Sequence, residues 1–154
     1  MKRRLNIAKN ANFILAILII HFGFFGYICN IYPEGIGTRL LYLNLILFKI
    51  ESFMALIILV LTVFLMVFRE KFFEYGIRNS IWLVPIIVVE SWIWYWIIDV
   101  YRVNFFVDYF LNVNSYITIL SLFCINFITA IIAAYFRQKY EEYIKVEEKK
   151  KIKN

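Results

Sequence analysis

Six ionisable side chains stand within or beside apolar runs long enough to cross a bilayer: His21, Lys49, Glu51, Glu90, Asp99 and Arg102. Glu90 is the sharpest case, because it sits in the middle of residues 80–102, SIWLVPIIVVESWIWYWIIDVYR. A carboxylate at that depth costs a few kcal/mol or more unless it is protonated or paired, so it marks a functional-site hypothesis and demands a partner. His21 is the one histidine in the chain. It can act as a proton-linked group or a metal or haem ligand, but alone it cannot supply the paired axial ligands of a b-type haem within one subunit. A neutral histidine hydrogen-bonded across helices is the simpler expectation. Lys49 and Glu51 are two residues apart, hence on different faces of a helix, and each needs a partner elsewhere or a route outward.

Trp92, Trp94 and Trp96, with Tyr95 between, make a dense aromatic block. Its functional reading is a stacking wall for an apolar ligand such as a quinone or a lipid. Its structural reading, an interfacial aromatic belt plus packing, has the stronger prior. No Gly-rich phosphate loop, H-E-x-x-H, G-x-S-x-G or Cys/His cluster appears, so the sequence assigns no catalytic residue, no metal site and no cofactor. Cys29 and Cys124 lie on different apolar runs without a C-x-x-C, and are expected to be small buried apolar residues.

The elements that must position these groups are helices. The chain has 154 residues, 63% apolar, 20% aromatic and 18% charged. A soluble domain of that size cannot hide so much apolar surface, and the bilayer must serve as solvent for most of it. The expected fold is an all-α polytopic membrane protein, a bundle of four transmembrane helices over about 12–31, 39–68, 80–100 and 116–136. Pro33, Gly35 and Gly37 break the first link, and Gly76 with Asn79 or Ser80 breaks the second. Pro85 lies in the first turns of the third span and is expected to kink it. Residues 101–114 alternate in a helical sense but are too polar to span, so they read as an interfacial helix or an extension of the third span. The tail, 137–154, pairs Arg137 with Glu141 and Glu141 with Lys145 at i,i+4, which supports a charged helix in water.

The formal net charge is +6, and each basic cluster flanks an apolar run rather than forming the basic face of a nucleic-acid module. Fourteen of the seventeen Lys and Arg fall on the side that holds the termini and the middle hairpin. The positive-inside rule then places both termini in the cytoplasm, in a plasma or inner membrane. At about 1.5 Å per helical residue, His21, Glu90 and Asn126 all lie ten residues in from the cytoplasmic boundary, near the midplane. Lys49, Glu51, Asp99 and Arg102 make a second, outer polar layer.

Three functions compete on this reading. The first is a non-enzymatic subunit or accessory component of a larger membrane assembly, partnered by other membrane subunits or by its own copies. An oligomeric channel or proton- or ion-coupled carrier comes next, with Glu90 and His21 as the titrating relay. The third is an intramembrane enzyme or lipid-binding protein that uses the tryptophan-rich span.

Overall fold

The computed structural model describes residues 7–32, 36–70, 72–98 and 105–153, and is helical throughout with no strand among them. Helix α1 (Ile7–Ile19) runs through a π-helical turn (Ile20–Phe25) into α2 (Gly26–Ile31). Two short helices follow, α3 (Ile36–Leu41) and α4 (Asn44–Leu47), then a 3₁₀ turn (Ile50–Ser52) that leads into α5 (Phe53–Arg69). The remainder is α6 (Phe73–Ile98), α7 (Phe105–Leu111) and α8 (Val113–Lys153). Four helical stretches are long and apolar enough to cross a membrane: Ala11–Ile31, Ile50–Arg69, Phe73–Ile98 and Val113–Val146.

Helical periodicity decides which faces meet. Along α8, Ser115, Thr118, Leu122, Asn126, Thr129 and Ala133 recur at steps of three and four and are all buried. This stripe of small and polar residues faces α5 and α6, and small side chains let apolar helices approach closely where water supplies no driving force. On α5 the buried stripe includes Ala55, Leu59, Thr62 and Met66, of which Thr62 and Met66 line a small cavity with Asn12, Leu15, Ala16 and Ile19 of the first span. Thr62 and Ser80 donate their hydroxyls back to the Ile58 and Ile77 carbonyls at 2.6 and 2.7 Å, which satisfies both within their own helices. The α5–α6 hairpin closes at Gly76, where a Cβ would lie 2.9 Å from Val67 Cγ1 and 3.2 Å from Val67 Cα. Only glycine fits that approach. Arg137 of α8 donates to the Phe68 carbonyl at 2.5 Å and to Glu141 at 2.7 Å, covering one of the carbonyls left open at the end of α5. Pro85 lies within α6 without ending it, on an exposed side of the helix.

The second apolar run departs from a single helix over 39–68. It breaks at Lys49, whose ψ of 146° is extended, and the membrane-length helix begins only beyond that point. The local sequence holds no Pro or Gly to announce the break. Tertiary bonds fix it instead. Asn44 receives the Thr118 hydroxyl at 2.7 Å on its side-chain oxygen and gives its backbone N–H to Thr118 Oγ1 at 3.2 Å. Tyr32 donates to Glu51 at 3.0 Å. Lys49 and Glu51 are both exposed, so the placing of Lys49 deep inside a continuous second span is corrected: it stands at the head of the span. The interfacial helix expected over 101–114 is described only as α7, and it is not an isolated surface element, because Phe105 and Tyr109 are buried against α6. The charged tail is the uninterrupted continuation of α8.

Candidate functional site

The partner of Glu90 is His21. Nδ1 of His21 and Oε2 of Glu90 meet at 2.6 Å across the seam between the first span and α6. His21 lies in the π-helical turn, a wider winding that is energetically disfavoured and is found disproportionately at functional sites. Gly23, two residues on, faces Ile58 of α5, where a Cβ would make an ordinary contact at 3.5 Å. Trp94 is one helical turn beyond Glu90 and so shares its face. Its ring lies 5.3 Å from that of His21 and stacks on Phe25. The Trp94 indole N–H is buried without a hydrogen-bond acceptor. Phe22 covers the imidazole edge-on at 4.7 Å.

The pair is not sealed. The His21 and Glu90 side chains are 30% and 14% exposed, and the neighbouring Phe22 is 71% exposed. At 2.6 Å a single hydrogen bond joins the imidazole and the carboxyl group, and which of them donates depends on the imidazole tautomer. Such a centre can store and pass a proton. Among the described residues no three His, Cys, Asp or Glu side chains converge as metal ligands.

The other residues expected at the midplane and in the outer layer are placed differently. Asn126 donates to the Ser80 carbonyl at 3.3 Å, and Ser80 precedes Glu90 by ten residues, about 15 Å along α6. Asn126 is thus remote from the His21–Glu90 pair, and its side-chain oxygen is buried without a partner. Equal counts from assumed span ends failed because the helices do not start at a common level. Lys49 and Glu51 lie at the helix break, whereas Asp99 and Arg102 fall outside the described residues. The three tryptophans divide. Trp94 turns toward His21, while Trp92 and Trp96, four residues apart, line an apolar cavity with Phe105 and Phe106 of α7. Cys29 and Cys124 are both free thiols, Cys29 half-buried and Cys124 exposed.

Sequence reasoning overlooked Trp94 as a neighbour of the histidine, although its i,i+4 relation to Glu90 is visible in the sequence. The Asn44–Thr118 pair carried no such signal, for it joins residues far apart in sequence. No protein-family model matches the chain, and comparisons with characterised proteins and with solved structures give no match. Among the described residues, fold and site together define an all-helical structure with four membrane-length helices and a His–Glu pair between two of them.

Proposed function

We propose that the chain is a non-enzymatic subunit of a membrane assembly, inserted with both termini in the cytoplasm, and that a partner's helix covers the seam of His21 and Glu90. The observation that carries this reading is the exposure of the pair. An ionisable couple open to hydrocarbon is costly, and membrane proteins turn such groups toward protein or water. A neighbouring helix laid over Phe22 would complete the enclosure. The test is the mass of the chain extracted gently from its native membrane, with a photocrosslinker at position 22. Crosslinks to other polypeptides support the reading. A monomer whose position 22 crosslinks only to lipid overturns it.

A second reading rests on the 2.6 Å contact itself. A single proton held between imidazole and carboxylate is the elementary unit of a proton-coupled carrier, in which copies of the chain would supply the conduction path by symmetry. Reconstituted in liposomes, such an oligomer loses proton flux on Glu90→Gln while keeping its helical content. Flux unchanged by that substitution removes the pair from transport.

A further inference from the structure

The His21–Glu90 contact uses one ring nitrogen and one carboxyl oxygen. The other two polar atoms, His21 Nε2 and Glu90 Oε1, take no hydrogen bond among the described residues, and neither is sealed inside the bundle. Their character follows from the charge of the couple. A net charge open to hydrocarbon is costly, which favours the two arrangements that are neutral overall, imidazole with carboxylic acid and imidazolium with carboxylate. In both, Nε2 carries a hydrogen and Oε1 is an acceptor. The seam therefore shows one donor and one acceptor, and the bond between their side chains holds them at nearly the same depth.

Ile14, Leu18 and Phe22 form an exposed row at steps of four along the first span, and Gly26 continues it. Such a row drifts about 40° per step around an α-helix, and the wider π turn takes out part of that drift. A Cβ on Gly26 would meet no atom within 4 Å, so the row ends in a notch where a second helix can come close.

We propose that the helix covering this seam belongs to a second copy of the chain, so that His21 Nε2 of each copy donates to Glu90 Oε1 of the other. The inference rests on the reading that a partner covers the pair, and it names that partner. A two-fold interface must be complementary to itself, because what one copy gives the other has to accept. One donor and one acceptor per copy meet that condition and leave no net charge. Two copies inserted the same way are related by an axis along the membrane normal, so only groups at equal depth can meet. The 2.6 Å bond keeps this donor and this acceptor level.

The test begins with full-length chains bearing two different tags, expressed together, each with a benzophenone photocrosslinker at position 22. Crosslinked species that carry both tags are expected. A crosslink only to some other polypeptide overturns this assignment and leaves the subunit reading standing, whereas a crosslink to lipid alone overturns both. Energy transfer between labelled full-length chains in dioleoylphosphatidylcholine vesicles then tests the bonds. His21→Leu and Glu90→Leu, each alone, should associate at least about three-fold more weakly than the wild type, the average worth of one membrane hydrogen bond. Mixed in equal amounts they restore one bond, from His21 of one variant to Glu90 of the other, and should recover part of the loss. A mixture that associates no more tightly than its parents overturns the pairing. Circular dichroism checks that both variants are helical, and if either is not, the two-tag crosslink alone decides.

Discussion

Two seams of the bundle solve the same packing problem in opposite ways. Where α8 meets α5 and α6, a stripe at steps of three and four buries small residues and one amide, Asn126, and ends in the Arg137 cap on Phe68. Where the first span meets α6, the helix winds into a π turn and an ionisable pair stands partly open. The first seam closes by shape, and its single hydrogen bond to the amide is long, at 3.3 Å. The second keeps a short hydrogen bond at 2.6 Å where a Leu–Leu pair would have packed without any polar group. A bundle that needed only adhesion had the cheaper solution available on its other side. That contrast is why the proposed function is placed on the pair and not on Asn126.

The largest effect belongs to shape. Gly76→Val drives a branched side chain into Val67, whose backbone stands 3.2 Å from the new Cβ and cannot give. Overpacking of that kind costs about 1–3 kcal/mol, and more where backbone is the obstacle. Thermal unfolding in detergent should show a marked drop in midpoint. Val67→Ala removes the methyl contact at 2.9 Å and should restore only part of it. Full restoration would mean that the hairpin closes less tightly than described.

Next in size is the pair. Glu90→Leu and His21→Leu each strand one polar group, and the double variant strands none, so a double-mutant cycle isolates the contact. Hydrogen bonds between membrane helices average about 0.6 kcal/mol and reach about 1.7, and partial exposure holds this pair within that range. The expected coupling is about 1 kcal/mol, with the double variant more stable than either single one. Additive singles would mean that the short contact contributes nothing to folding.

The four apolar segments were legible because membrane-length runs and their flanking charges need only composition and length. Glu90 and His21 were legible as a pair in need of partners, since each is anomalous in its own run. The break at Lys49 was not, because no Pro or Gly marks it and its cause lies in bonds from Asn44 and Glu51 to Thr118 and Tyr32, partners outside the second apolar run. Asn126 misled for a related reason. Depth along a helix is set by where that helix begins in space, and α6 starts at Phe73, well before the boundary that hydropathy alone marks at Ser80.

Asn126→Leu is the smallest expected change and the one that sharpens the contrast most. The substitution removes a 3.3 Å donor contact, but it also removes a buried carbonyl oxygen that has no partner. The Ser80 carbonyl loses nothing essential, because a helical carbonyl already accepts from the amide four residues on. Replacing a half-satisfied polar group by an apolar one of similar volume is near neutral or stabilising, so the unfolding midpoint should stay or rise. Glu90→Gln, equally conservative in shape, should by contrast leave stability nearly intact while altering whatever the His21 seam does, whether partner capture or proton flux. If Asn126→Leu instead abolished assembly or flux with normal folding, the α8 seam would be functional too, and the division between the two faces of α6 would fall.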